Sequence, residues 1–469
     1  MATPRYFLHS YGCQMNKLDS ELVESRLVAA GYQRAESEAD AGVVLLNTCS
    51  VRQHAEDRVW SRLGLLRQRK RREPDLVVGV LGCMAQEHKQ YMQARMPHVD
   101  LVVGPSAFGD IDQTVEAARV RNAGLAPTVD SHGRARLLPA AGLLAVDQGV
   151  SGDTITRDVK VRPQRAQAYV SVMRGCNMPC SYCIVPATRS AEVSRPIEVI
   201  AEEVQRLCDD GVTEVCLLGQ TVNAYGRDLG PGITLAALLR RLHAIPALRR
   251  LAFITSHPNF LSAELIDALA ELPKVARYLH LPAQSGSSRV LKTMRRGYTR
   301  ERYLARRDQL MARVPDMELH SDFIVGYPGE TEADFEETVS FMREVRFAQS
   351  YVFKYSPRPG TLAADLVDDV SDVEKARRNQ VLLALQAEHS LAKHAALVGT
   401  TTEVLVEGAS PKDARKMSGR TLHHRIVHFA ADDAGLVGRY APVRILQANE
   451  HWLLGELLAE DAAEEPRRE

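Results

Sequence analysis

The stretch Gln167–Cys183, QAYVSVMRGCNMPCSYC, decides how this chain is read. Gln167 to Met173 reads as a strand, and the loop after it holds Cys176, Cys180 and Cys183 at the spacing C-x3-C-x2-C. Three thiolates in one loop can bind three irons of a cubane cluster and leave the fourth iron without a protein ligand. A structural zinc site would want four ligands in tetrahedral geometry, and no fourth Cys or His lies close by in this loop. The pattern therefore points to a cluster with an open coordination position.

Downstream of the loop, strand and helix signals alternate. Strands are expected at Glu214–Leu218, Leu251–Thr255, Arg277–Leu281, Leu319–Val325 and Ser350–Tyr355, separated by amphipathic stretches such as VIAEEVQRLCDDG and SAELIDALAEL. With the strand before Cys176 these make six βα-type units, fewer than the eight of a closed barrel, so an open or partial barrel is expected. Residues at the carboxyl ends of its strands should line the site: Gly219-Gln220, Ser256-His257, Gln284-Ser285-Gly286 and Ser321 to Glu330, SDFIVGYPGE. Cys208, at a helix end, and Cys216, inside an apolar strand, read as packing residues.

Upstream, three more cysteines share one local setting. Arg5–Tyr11 leads into Gly12-Cys13, Gly42–Leu46 into Asn47-Thr48-Cys49, and Leu76–Leu81 into Gly82-Cys83, each followed by a helical stretch. Successive strand, cysteine, helix units imply a parallel, doubly wound sheet in which the three thiols converge at one edge. Residues 58–72, RVWSRLGLLRQRKRR, carry seven basic side chains and read either as a phosphate-binding face or as a solvated helix end. The stretch 121–160 loses periodicity and reads as a linker or lightly ordered insertion.

The last section has strand candidates at Glu403–Val406, Arg425–Phe429, Pro442–Leu446 and Trp452–Leu457, which suit a small β-barrel. Between Ser410 and Phe429, Lys412, Arg415, Lys416, Arg420 and Arg425 face a single acid, Asp413, with His423, His424, His428 and Phe429 nearby. Basic groups beside a stackable ring are what single-stranded RNA contact requires. The alternative is an ordinary exposed turn.

Composition sets the bounds. At 469 residues, 45% hydrophobic and 25% charged, the chain suits about three globular domains. Lys+Arg and Asp+Glu are both 59, so any nucleic-acid contact must be local. Eight cysteines are too few for a secreted disulfide framework, no start resembling a secretory signal is evident, and no apolar run approaches a membrane span, so a cytoplasmic location is expected.

Read together, SYGCQMN, LLNTCSVR, GCNMPCSYCIVPATR, LLGQTVNAYG, ITSHP, LPAQSGS, LKTMRRGYT, SDFIVGYPGETEADF and YSPRPGT resemble the methylthiotransferase family of radical S-adenosylmethionine (SAM) enzymes. The resemblance runs from residue 5 to about 455, outside 121–160. It implies an N-terminal methylthiotransferase domain (1–120), a linker (121–160), a partial (βα)6 radical-SAM core (161–395), an OB-like TRAM barrel that binds RNA (396–459) and a polar tail (460–469).

By that resemblance Cys176, Cys180 and Cys183 hold a 4Fe-4S cluster at which SAM is cleaved to a 5′-deoxyadenosyl radical. Cys13, Cys49 and Cys83 hold an auxiliary 4Fe-4S cluster that carries sulfur, and a second SAM donates the methyl group. Tyr182, Gly219, Gln220, Gln284, Val325 and Gly326 are implied SAM contacts, and Lys412, Arg415, Lys416, Arg420, Arg425 and Phe429 are candidate RNA contacts. The branch it resembles most adds methylthio to C2 of N6-isopentenyl (dimethylallyl) adenosine at position 37 of the tRNA anticodon stem-loop. An electron donor such as a flavodoxin or ferredoxin, a sulfur and Fe-S assembly system, no membrane and a monomeric state complete the expectation. Rival readings are a ribosomal-protein aspartate methylthiotransferase, a threonylcarbamoyl-adenosine tRNA methylthiotransferase, and a non-enzymatic RNA-binding Fe-S carrier. Two departures from the family pattern are Ser190 after Thr188-Arg189, where glycine is usual, and His424 and His428, where asparagine is usual.

Overall fold

A computed structural model of the chain describes residues 3–50, 53–124, 143–145, 166–410, 412–431 and 433–458. The chain forms two compact units that do not follow its linear order. The first comprises Met1–Pro163, Met173–Asn177 and Ile184–Ser194, and the second Gln164–Val172, Met178–Cys183 and Arg195–Glu469. Among the described residues no helix is long and apolar enough to cross a membrane.

The first unit is built on a parallel sheet. Its strands are β1 (Arg5–Tyr11), β2 (Gln33–Arg34), β3 (Val43–Thr48), β4 (Val77–Gly82), β5 (Leu101–Val103) and β6 (Leu143–Ala145), in the order β2-β1-β3-β4-β5-β6. Helices α1 (Gln14–Ala29), α2 (Gln53–Arg72), α3 (Cys83–Arg95) and α4 (Ile111–Ala123) connect them. Alternate residues of β3 serve opposite faces, as a strand covered on both sides requires. Val43 and Leu45 pack with Val23, Leu27, Ile111 and Val115 of α1 and α4, whereas Val44 and Leu46 pack with Val59, Leu63, Met84 and Met92 of α2 and α3. The doubly wound expectation holds. Three residues of the 121–160 stretch add an edge strand, Leu101 pairing with Leu143. Most of the remainder of that stretch, like the tail at 460–469, lies outside the described residues.

The expected strand over Gln167–Met173 is divided. β7 (Gln167–Ser171) pairs in parallel with Glu214–Leu218 in the second unit, while β8 (Met173–Arg174) pairs antiparallel with β9 (Val193–Ser194) in the first. A short helix, α5 (Val185–Arg189), precedes β9 and ends at Ser190, whose φ of 63° and ψ of −167° lie in a region open in practice only to glycine. Its carbonyl accepts from the Cys176 amide at 3.2 Å, which fixes the conformation. The serine that departs from the family pattern therefore carries strain. Ser190→Gly should stabilise the fold by about 1–2 kcal/mol, the relieved strain exceeding the added chain entropy of glycine. The check is an increase in the urea midpoint at unchanged slope; an unmoved midpoint would refute the strain.

In the second unit β7 is joined by β10 (Glu214–Leu218), β11 (Arg250–Ile254), β12 (Tyr278–His280), β13 (Glu318–Val325) and β14 (Gln349–Lys354). Two three-stranded parallel sheets, β11-β10-β7 and β12-β13-β14, meet where Leu251 donates to Lys274 and accepts from Ala276. The result is a curved run of parallel strands in chain order, the expected open (βα)6 form.

The C-terminal barrel is closed by β15 (Thr401–Ser410), β16 (Asp413–Thr421), β17 (Ile426–Ala430), β19 (Leu453–Leu457) and β18 (Tyr440–Ala448), in that spatial order. β16 was not expected from sequence, because its inward positions are Met417, Gly419 and Thr421 rather than large aliphatics. Gly419 is required there, since a Cβ would lie 2.2 Å from the Leu405 carbonyl oxygen.

This barrel corrects part of the RNA expectation. Phe429 is wholly buried among Val404, Val427 and Ile445, so its ring cannot stack on a base. Arg425, just before β17, is engaged by Glu318 of β13, and Arg420 of β16 by Glu407 of the adjacent strand β15. Lys412 and Arg415 remain exposed. On the outward face of β17, His428 meets Trp452 edge to face at 5.9 Å, and Lys412 and Lys416 lie close enough to depress its protonation, after burial the main cause. The basic helix α2 is likewise only partly solvated. Lys70 is buried on Asp100 at 2.7 Å, and Arg69 donates to the carbonyl oxygens of Glu38, Ala39 and Ala41.

Candidate functional site

Strand register places the first cysteine set. Tyr11 lies opposite Thr48, and Thr48 opposite Gly82, so β1, β3 and β4 end level with one another. Cys13, Cys49 and Cys83 follow those ends directly. The turns are tight. A Cβ on Gly12 would sit 2.5 Å from Cys49 Cβ, and one on Gly82 would sit 2.5 Å from Asn47 Oδ1, with φ of +127° and +91° at the two glycines. Beneath them, Asn16 Oδ1 accepts from the Cys13 amide at 3.3 Å and from its thiol at 3.2 Å, and Asn47 Nδ2 donates to Asn16 O and Ser20 Oγ. Buried amides thus brace the turns that carry the thiols.

The three thiols share an electrostatic environment. A hydrogen bond with Cys49 pulls the Cys13 thiol down to about 6, against desolvation and with help from the Arg189 guanidinium. Burial pushes Cys83 up, while Arg189 works in the opposite direction. Arg189 comes from α5, six residues beyond Cys183 in sequence. Its Nε donates to Cys83 Sγ at 3.1 Å and its Nη2 to Asp19 Oδ2 at 2.6 Å. Neither Arg189 nor Asp19 was singled out by sequence reading. Their pairing spans 170 residues, so no local pattern announces it.

Around the second set, the loop between the cysteines is anchored by Ser181. Its amide donates to Met294 O at 3.1 Å, its hydroxyl donates to Thr293 O at 2.9 Å and meets Tyr327 Oη at 2.8 Å, and its carbonyl accepts from Ala363. Buried Arg296 donates from Nη1 to Cys180 Sγ at 3.3 Å and from Nη2 to Pro282 O. Each cysteine set therefore has a thiol that accepts from a buried guanidinium. Tyr182 packs against a cluster that includes Met294, Tyr327 and Tyr355.

The remaining expected SAM contacts stand at the carboxyl ends of barrel strands. Gly219 and Gln220 follow β10, and the Gly219 amide donates to Ile254 O. Gln284, at φ 73°, bridges backbone to backbone with Asp322 and Ile324. Val325 ends β13, and the Gly326 amide donates to Glu330 Oε2 at 2.5 Å. The structure adds a polar trio, in which His280 at the end of β12 reaches Thr255 Oγ1 just beyond β11 and Asp322 Oδ1 within β13 at 3.2 Å each. His257, expected to line the site, caps a local turn by accepting from the Asn259 amide and is held neutral by burial and Arg296. Cys208 and Cys216 are buried packing residues, and none of the eight cysteines forms a disulfide.

Comparison with known proteins agrees with this layout. Residues 5–104 match the family described as Uncharacterized protein family UPF0004, residues 170–342 the Radical SAM superfamily, and residues 395–458 the TRAM domain. The tRNA-2-methylthio-N(6)-dimethylallyladenosine synthase of Moorella thermoacetica is 41% identical over 96% of this chain and 97% of its own. That of Methylobacillus flagellatus is 42% identical over 97% and 99%. The chain belongs to the tRNA-2-methylthio-N(6)-dimethylallyladenosine synthase family. As a member of that family it is a radical SAM enzyme. The fold is shared with a radical SAM methyltransferase from Kitasatospora setae, TsrM, at a TM-score of 0.52 and 15% identity over 78% of this chain and 77% of that one.

Proposed function

We propose that this synthase adds a methylthio group to C2 of N6-isopentenyl adenosine at position 37 of tRNA, using two 4Fe-4S clusters and SAM. The observation that carries the reading is the level ending of β1, β3 and β4, which brings Cys13, Cys49 and Cys83 to one edge of the sheet, where a buried guanidinium donates to Cys83. Three thiols at the strand ends suit a cubane with an open iron, as do the three of the loop of Cys176, Cys180 and Cys183. When bound, the cluster in the loop supplies the electron that splits SAM, and the cluster at the strand ends carries the sulfur.

The protein's own groups position and exclude. Ser181 and Arg296 fix the cysteine loop, while the backbone at Gly219, Gln284 and Gly326 offers a rim for SAM at the strand ends. The tRNA is met by Lys412 and Lys416 near the His428 and Trp452 rings and by the exposed Arg415, cations and aromatic edges being the combination that holds single-stranded bases. We assign the electron supply to a flavodoxin or ferredoxin and cluster renewal to an Fe-S assembly system, with the enzyme acting as a cytoplasmic monomer.

Nucleoside mass spectrometry of tRNA tests the substrate. A strain lacking the gene should lose the 2-methylthio mark on isopentenyl adenosine and regain it when this chain is expressed. Persistence of the mark in the deletion strain would overturn the assignment.

A further inference from the structure

Arg189 is a cation in a place where water cannot solvate it. Its side chain is 5% exposed and that of its partner Asp19 is wholly buried. The guanidinium fork is divided between two acceptors, Cys83 Sγ through Nε and the Asp19 carboxylate through Nη2, so the carboxylate fixes the direction in which Nε points. Arg174, which precedes the cysteine loop, approaches the other Asp19 oxygen at 3.9 Å. Burial opposes the charge on Arg189, and Asp19 together with the Cys83 and Cys13 thiols more than offsets that cost. A salt bridge whose only task was to tie α5 to α1 would not need its guanidinium shared with a sulfur.

We infer that Arg189, aimed by Asp19, is a positioning residue that tunes the auxiliary cluster, its N–H bond to Cys83 Sγ setting that cluster's reduction potential. The inference rests on the proposal that Cys13, Cys49 and Cys83 hold a 4Fe-4S cluster. Hydrogen bonds to ligand sulfurs and nearby net charge are the levers by which proteins set such potentials. A donor and a positive charge stabilise the reduced cluster, which is the more negative state, so they raise the potential. The Asp19 carboxylate acts against this through its charge while holding the donor in line. The two residues therefore have effects of opposite sign, which a purely mechanical clamp does not.

The test uses the full chain with Cys176, Cys180 and Cys183 all replaced by alanine, so that one cluster remains and its midpoint potential and EPR spectrum can be read alone. Reconstitution should give roughly four irons per chain. Absence of iron there overturns the cluster reading itself, and the inference with it. With iron bound, Arg189→Gln should move the midpoint to more negative potential and change the EPR g-values, Arg189→Lys should fall between it and the parent, and Asp19→Asn should move it to more positive potential. An Arg189→Gln protein with full iron and an unmoved midpoint and spectrum overturns the inference, as do shifts of the same sign in the Arg189 and Asp19 variants. Should Arg189→Gln not retain iron, Arg189→Lys decides: a single ammonium nitrogen cannot stand at both the Nε position on Cys83 Sγ and the Nη2 position on Asp19, so an unchanged midpoint there overturns the inference.

Discussion

Cys180→Ala is expected to abolish reductive cleavage of SAM, whereas replacing Cys13, Cys49 and Cys83 together should leave that cleavage intact and stop methylthio transfer. The reason is topological. Cys180 and Cys183 flank Ser181, which is pinned to the barrel through Met294, Thr293 and Ala363, and none of these partners belongs to the strand ends at which the first set gathers. Each set has its own buried arginine, Arg296 for Cys180 and Arg189 for Cys83. Iron should fall from roughly eight to roughly four per chain in either case, since each cubane contributes four. The measurement is iron content together with 5′-deoxyadenosine and modified-nucleoside yields from the same samples. Loss of SAM cleavage in the triple strand-end variant, or full iron content in it, would refute the separation of roles.

The second large effect is expected at Glu330. Its side chain is wholly buried and accepts from the Gly326 amide at 2.5 Å and from Arg378 at 2.9 Å, itself 6% exposed. Burial raises the tendency of Glu330 to stay protonated, and the Gly326 amide and Arg378 oppose it. Gly326 sits at φ +69° with Lys375 Cγ only 2.3 Å from where a Cβ would be, so the turn has no room to relax. Glu330→Leu removes the acceptor from both donors and leaves a buried cation short of a partner. Breaking such a pair costs about 3–5 kcal/mol, and the lower end is expected because Arg378 keeps Glu374 at 2.7 Å. The same change unpins the turn proposed to contact SAM, so SAM affinity should fall as well. Urea denaturation and equilibrium binding check both, with Glu330→Gln as the milder control that retains an acceptor oxygen. A wild-type midpoint in the leucine variant would show that the pair does not hold the turn.

Much of the architecture is legible in the sequence because its signals are local. Runs such as Val43–Leu46 and Val77–Leu81 are apolar throughout, as strands covered on both faces must be, and each is followed by glycine or small polar residues before a cysteine. The cysteine sets are legible for the same reason. What escaped the reading depends on partners far apart in the chain: Asp19 with Arg189, Cys180 with Arg296, Arg425 with Glu318. Counting basic residues over 410–429 gave the right sign of charge but could not tell an exposed Lys412 from an Arg425 held by a carboxylate. Phe429 misled because alternation along β17 turns it inward while His428 turns out.

The way the chain alternates between its two units across residues 173–194 bears on how the protein can be taken apart. A fragment cut at the obvious linker, carrying residues 1–163 alone, would lack β8, α5 and β9. Asp19 would then have neither Arg189 nor Arg174 to answer its charge. The other fragment would carry the cysteine loop with its flanking segments stripped of their packing. The N-terminal unit is thus not a portable module. A chimera that exchanges it between relatives should fold only if the two segments flanking the cysteine loop travel with it.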